Sequence, residues 1–341
     1  MRKRLRLTTA EIAERANVSS ATVSRVLNKS ANVKPEIAQR VLHVLVEAGI
    51  NPDSVISPIL QQGKLLLLTL PFDFNSFFNE IIRGAKASAV QHGYQLLILQ
   101  EHINENTFPA FRRMMSNIKT AGLITLNQID EGILDKISSH VPLVQLCDYD
   151  VSSDKVSSVS LDDVRAATSV MDYFASLGRK RIAFLSGPLQ YKDNLNRKAG
   201  YLKGLSSMNV EPNGSWIVHL PEINYEMALS TATQILSQPK RPDGFFAISD
   251  LFASAVINAA RRLDLRVPDD LMVVGFDNVD YALISTPTIT TISTPKFQLG
   301  YMACEMLIDK IRNPKASTQH IFLEHELIIR ESTTKQNQSP G

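Results

Sequence analysis

The chain has 341 residues, 44% hydrophobic and 21% charged, with a formal net charge of +2. That length suits two or three domains, and that composition a globular protein with a full core. The longest apolar runs are strand-length, which excludes a membrane helix of about 20 residues, and Cys147 and Cys304 stand far apart, which argues against a disulfide framework or a cysteine zinc site.

The charge is unevenly spread. Residues 1–50 carry nine basic and four acidic side chains, a net of +5, leaving −3 for the remainder. A basic head on a slightly acidic body points to a polyanionic partner at one end. The basic residues after Met1 are not followed by an apolar run, so no export signal is expected, and the reading is a cytoplasmic, nucleoid-associated protein.

In chain order, residues 1–50 read as three short helices without a strand. LTTAEIAERA sets Ile12, Ala13 and Ala16 on one face, with Thr9 placed to cap its first turn. Asn17 tolerates the left-handed conformation of a tight turn. SSATVSRVLN follows, apolar at Val23, Val26 and Leu27 but otherwise offering only Ser20, Ala21, Ser24, Arg25 and Asn28. KPEIAQRVLHVLVEAG forms the third helix, with Pro35 in its first turn and Gly49 at its end. Two helices joined by a tight turn make a helix-turn-helix, whose second member packs on one side and offers the other to a major groove about 12 Å wide. A small, polar face suits that groove. The DNA-contact candidates are Thr9 and Ser19 at helix starts, then Ser20, Ala21, Thr22, Ser24, Arg25 and Asn28. A small accessory bundle capping a larger domain is the alternative.

From Lys64 onward strand and helix alternate. Apolar strand runs occur at LLLLTL, QLLILQ, GLITL, LVQLC, RIAFLSG, WIVHLP, GFFAIS and LMVVGFD, with amphipathic stretches between most of them, including Phe77 to Gln91, Val164 to Leu177, Met227 to Leu236 and Asp250 to Leu263. Such alternation predicts parallel sheets with helices on both faces. About 270 residues is large for one such sheet, so two doubly wound subdomains are expected, with ligands held at the carboxyl ends of strands across a cleft.

The run TAEIAERANVSSATVSRVLNKSANVKPEIAQRVLHVLVEAGINP resembles the head of the lactose and galactose repressor family of bacterial regulators, most specifically at VSSATVSRVLN. The resemblance continues through SLGRKRIAFLSGP, Arg197 in NRKAGY, the SD of FFAISD, VPDDLMVVGFDN, TPTITTISTP and the closing ELIIREST. It implies a helix-turn-helix head (1–50), a linker or hinge (51–62), a periplasmic-binding-protein-like body (63–333) and a tail (334–341). The body is expected to divide into a first subdomain, 63–162 with 294–318, and a second, 163–293 with 319–333. The resemblance also implies a homodimer that binds a pseudo-palindromic operator and responds to a small effector; with no cysteine or histidine clustering at metal spacing, no metal or cofactor is expected.

By the same resemblance, Arg197 and Asp277 hold polar groups of the effector, typically hydroxyls of a sugar or ribose. A guanidinium fork and a carboxylate can each engage two vicinal groups, and their opposite charges leave the empty cleft balanced. A structural ion pair is the alternative. Phe77 and Phe78 match an aromatic pair near the cleft mouth, with Phe78 equally readable as core. Asp148, Tyr191, Asp193, Ile223 and Ser249 match further lining positions. FFNEIIRG, HGYQLLIL, Ser249-Asp250, GFDNVD and HELIIREST resemble the cytidine-responsive members, so a nucleoside stands beside a sugar or sugar derivative as the expected effector.

In the linker NPDSVISPILQQG, Ile59 takes the position of the leucine that relatives push into the minor groove. Pro58 precedes it where a hinge helix should be continuous, and an interior proline costs about 3 kcal/mol of helix stability. The expected consequence is a partly flexible linker. Two other classes share parts of this pattern. A solute-binding protein without a DNA role would share the body but should carry an export signal and no helix-turn-helix. An enzyme would need a nucleophile, metal cluster or phosphate loop, and no GxGxxG, Walker loop or HExxH occurs.

Overall fold

The computed structural model describes residues 7–27, 33–48, 50, 64–71, 76–147 and 155–334. Asn28, Pro58, Ile59 and Asp148, and with them the linker 51–62, lie outside the described residues. The chain divides near Leu65 into a helical head and an α/β body.

The head contains α1 (Thr9–Ala16), α2 (Ser20–Leu27) and α3 (Pro35–Glu47). A reciprocal capping box starts α1. The Thr8 hydroxyl accepts from the Glu11 N–H at 3.3 Å, and the Glu11 carboxylate accepts from the Thr8 N–H at 2.6 Å. The cap is therefore Thr8 and not Thr9, which is the first residue inside the helix, because only Thr8 stands three residues before a glutamate that can close the box. Asn17 ends α1 in the left-handed region at φ 50°, which turns the chain sharply into α2. There the Ser19 hydroxyl accepts from the Thr22 N–H at 3.1 Å. Ile12, Ala13, Ala16, Val23, Val26, Val41, Val44 and Leu45 bury one common core.

The first sheet of the body has the order β11-β5-β4-β3-β1-β2. Its strands are β1 (Leu65–Leu70), β2 (Gln95–Gln100), β3 (Thr120–Thr125), β4 (Leu143–Leu146), β5 (Ser157–Leu161) and β11 (His320–Leu323). The second has the order β12-β10-β9-β8-β6-β7. It comprises β6 (Ile182–Ser186), β7 (Ile217–His219), β8 (Gly244–Ala247), β9 (Met272–Asp277), β10 (Thr290–Ser293) and β12 (Glu326–Ile328). β12 joins β10 antiparallel at the edge, whereas β6, β7, β8, β9 and β10 pair in parallel. The helices are α4 (Ser76–Gln91), α5 (Phe108–Asn117), α6 (Glu131–Ser138), α7 (Asp163–Ser176), α8 (Lys192–Ser207), α9 (Tyr225–Leu236), α10 (Asp250–Arg262), α11 (Asp280–Ile284) and α12 (Lys296–Arg312).

The subdomain boundary expected at 318/319 moves. β11 pairs in parallel with β5, Ile321 opposite Val159, so the last crossing between sheets is Glu324–His325. Polar side chains hold that register: the Gln319 N–H donates to the Ser157 hydroxyl at 3.2 Å, and the Ser158 hydroxyl bonds His320 Nδ1 at 2.8 Å. The two other crossings follow β5 and β10.

Two helices of the first subdomain cross at backbone contact. A Cβ on Gly84 of α4 would lie 2.0 Å from the Phe297 carbonyl oxygen, and one on Gly300 of α12 would lie 1.9 Å from that of Ile81. Only a residue without a side chain fits either position. The second subdomain buries the larger aromatic core, including Phe174, Phe184, Phe245, Phe246, Phe252 and Phe276, with the Tyr201 hydroxyl donating to the Ile182 carbonyl at 2.8 Å.

Candidate functional site

In the head, α2 divides cleanly by face. Val23 and Val26 are buried, whereas Ser20, Ala21, Ser24 and Arg25 are exposed and Thr22 is half-buried. The Thr22 hydroxyl bonds that of Ser19 at 2.8 Å, fixing both at the helix start. Thr9 is exposed on α1. The exposed strip of α2 has no side chain larger than arginine's and nothing apolar beyond a methyl group, so it can enter a groove without losing a packing face.

In the body, a cleft of about 1050 Å³, its open mouth included, lies between the two subdomains at the carboxyl ends of their strands. Eight expected residues meet there. Phe77 and Phe78, on the first turn of α4, form part of one wall, and Tyr191, Asp193, Arg197, Ile223, Ser249 and Asp277 form the other. Phe77 and Phe78 contact edge to face, with centroids 5.4 Å apart. Both also pack against the first subdomain's core, so lining and core are one role and not two. The Ser249 hydroxyl caps α10 by accepting from the Phe252 N–H at 3.3 Å. Across the cleft, Gln128 Nε2 donates to the Gln190 carbonyl at 2.5 Å and links the two walls.

Arg197 organises the polar wall. Its guanidinium lies 3.7 Å above the Phe276 ring and is nearly buried. Nε donates to Asp163 Oδ1 at 2.8 Å, and Nη1 to the Ile248 carbonyl at 2.8 Å. Nη2 stands 3.7 Å from Asp193 Oδ2 and 3.8 Å from Asp277 Oδ1, too far for a direct hydrogen bond. Those gaps leave room for a ligand oxygen that accepts from Nη2 and donates to a carboxylate. The expected balance of one arginine against one aspartate is therefore corrected: three carboxylates surround a single guanidinium, because Asp163 enters from α7 and Asp193 from one turn earlier on α8.

Burial pushes the Asp163 carboxyl up to about 7, with Arg197 pulling the other way. Asp277 is raised by burial as well, against Arg197 and Lys296. The Cys147 thiol, lining the cleft, is held well above its ordinary range by burial and by the nearby carboxylates, so it is an apolar contact there and not a nucleophile.

The turn after β9 carries Asp277 at φ 94° and Asn278 at φ 52°, both in the left-handed region. Several bonds hold it. Lys296 Nζ donates to the carbonyls of Asp277 and Asn278, Asp250 Oδ2 accepts from the Val279 N–H at 2.8 Å, and Arg330 Nη2 donates to Asn278 Oδ1 at 2.8 Å. Sequence reasoning missed Asp163, Asn194, Thr294 and the bracing group Asp250. The pattern of an aspartate at the first turn of a helix was visible at Asp163 and Asp250, but it reads as a capping charge until the fold brings a partner to it. The Thr294 hydroxyl lines the cleft, buried and without a hydrogen-bond partner among the described residues.

The head and body match known proteins. Residues 8–53 match the family described as bacterial regulatory proteins, lacI family, and residues 171–333 match the periplasmic binding protein-like domain. Over 329 residues the chain is 31% identical to the HTH-type transcriptional repressor PurR of Escherichia coli O139:H28, covering 95% of this chain and 96% of that one. The chain belongs to the lacI family. It is 30% identical to PurR of Edwardsiella ictaluri over the same span. Among solved structures, the lac repressor dimer bound to operator and the anti-inducer ONPF aligns with a TM-score of 0.78 at 22% identity, over 96% of this chain and 99% of that one. The regulator CelR in complex with cellobiose aligns at 0.73 and 23%, over 96% and 100%. This lacI-family member is a DNA-binding transcriptional regulator with a helix-turn-helix head and a periplasmic-binding-protein-like effector domain.

Proposed function

We propose that the protein is a repressor that binds a pseudo-palindromic operator as a homodimer through α2, and that a sugar or nucleoside in the Arg197–Asp277 cleft switches it. The carrying observation is the two-faced α2, with Val23 and Val26 buried and Ser20, Ala21, Ser24 and Arg25 exposed. Relatives and neighbours support the reading: the PurR proteins are named repressors, the lac repressor is a dimer on operator, and CelR holds cellobiose. Exposed apolar side chains on the body, Val90, Leu97 and Ile98 in the first subdomain and Leu283 and Ile284 in the second, offer area for self-association.

Ser20 and Ala21 make only short contacts, so base readout by one head is modest and the second half-site supplies affinity. The effector acts through a difference in its affinity for two states of the body. Selection of operators from random duplex DNA with the full chain, followed by gel shift and sedimentation, tests the reading. A two-fold symmetric site bound by a dimer is expected; a chain that selects no sequence refutes it.

A further inference from the structure

Resting on the effector reading above, the electrostatics of the cleft narrow the effector's chemistry. Among the described residues that line it there are three carboxyl groups, Asp163, Asp193 and Asp277, and a single basic side chain, Arg197. Arg197 is already committed on two sides, to Asp163 and to the Ile248 carbonyl. Behind the wall, the Lys296 ammonium is already bonded to the carbonyls of Asp277 and Asn278. A phosphate or carboxylate entering here would meet Asp193 and Asp277 beside Arg197, with no second arginine or lysine among the described lining residues to pair it. A hydroxyl or amine would do the reverse, donating to those carboxylates and accepting, in the case of oxygen, from Arg197 Nη2. The unpartnered Thr294 hydroxyl adds one more polar group with capacity to spare. The facing wall, with Phe77, Phe78 and Leu126, is apolar and suits a flat or hydrophobic group.

We infer that the effector is an uncharged or amine-bearing polyol joined to an aromatic or apolar group, and that the cleft rejects phosphorylated and carboxylated versions of the same molecule. Nucleosides and aryl glycosides share this chemistry. The test is calorimetric titration and thermal shift of the full chain with cytidine, adenosine, cytidine 5′-monophosphate, phenyl β-glucoside, glucose, glucosamine, gluconate and glucose 6-phosphate.

A neutral or amine-bearing member should bind, with any anionic counterpart at least ~10-fold weaker, a gap of about 1.4 kcal/mol. Asp193→Asn should narrow that gap several-fold by removing one repelling charge, and its half-exposed position makes it a mild substitution for the fold. Cytidine or adenosine binding above the glycosides assigns the nucleoside arm; phenyl β-glucoside above glucose assigns the glycoside arm. Binding of an anionic member as tightly as its neutral counterpart overturns the inference, as does a panel in which no neutral or amine-bearing member binds. Asp277→Asn separates the two failures: an anion whose binding it alters sits in the cleft, so only the charge rule fails, whereas a ligand it leaves untouched sits elsewhere and the cleft reading fails.

Discussion

Asp250 makes the body's stability depend on pH in a way that one substitution can isolate. Its carboxyl is buried, one oxygen accepts from the Val279 N–H, and the other has no hydrogen-bond partner among the described residues. Burial pushes it up to about 8, with the Val279 N–H and Lys296 pulling the other way. In the unfolded chain an aspartate titrates near 3.9. A raised folded-state value means that the stabilising contribution is fully present below about pH 4 and is lost as pH rises towards 8. Between pH 5 and pH 8 the unfolded carboxyl is ionised while the folded one keeps much of its proton, so the loss is about 3 to 4 kcal/mol at 1.36 kcal/mol per pH unit. For a body of roughly 270 residues that corresponds to about 5 to 7 °C in melting temperature. Asp250→Asn keeps an acceptor for the Val279 N–H and cannot ionise, so its melting curve should be flatter across this range by that amount. Asp163, raised to about 7, leaves a smaller slope of the same sign. Thermal melts of both proteins at pH 5, 6, 7 and 8 make the comparison. Parallel profiles for wild type and variant would refute the reasoning, because they would place the proton uptake elsewhere.

Other expectations follow from the same geometry. Arg25→Ala should weaken operator binding and reduce the slope of log affinity against log salt by about one, measured by gel shift across a salt series. Gly300→Ala should cost the body at least ~2 kcal/mol in a denaturant titration, since its Cβ falls on the Ile81 carbonyl; Gly132→Ala, with open space around it, should be neutral or slightly stabilising. Thr8→Ala should remove the α1 cap and cost the head about 1 kcal/mol, read as faster amide exchange in α1. Arg197→Ala should abolish stabilisation by whichever ligand the panel identifies, because it is the one cation among the described residues lining the cleft.

The parts of the fold legible in the sequence were those in which local pattern and tertiary role coincide. LLLLTL and QLLILQ coincide with β1 and β2, and the spacing of Ile12, Ala13 and Ala16 matches the buried face of α1. β5 and β10 were not among the apolar runs, because SSVSL and TTIS carry hydroxyls where a buried strand is expected to be apolar. Their hydroxyls are satisfied by distant residues: Ser160 donates to the Cys147 carbonyl at 2.9 Å, and the Thr290 hydroxyl bonds that of Thr333 at 2.6 Å. Such partners are invisible before the chain is folded. The same holds in the cleft. Arg197 and Asp277 stood out through resemblance, but Asp163 lies 34 residues from Arg197 and became its closest charged partner only when α7 and α8 packed together.

The glycine crossing of α4 and α12 bears on how the cleft communicates. α4 carries Phe77 and Phe78 on its first turn, and α12 begins at Lys296, whose ammonium grips the carbonyls of Asp277 and Asn278. Because Gly84 and Gly300 bring the two helix backbones into contact, no side chain stands between them to bend or change rotamer and absorb a shift. The aromatic wall and the left-handed turn of the acidic wall are thus joined through two helices in direct backbone contact. On our proposed effector reading, a displacement of Asp277 is therefore expected to reach Phe77 and Phe78 through Lys296 and α12 with little loss.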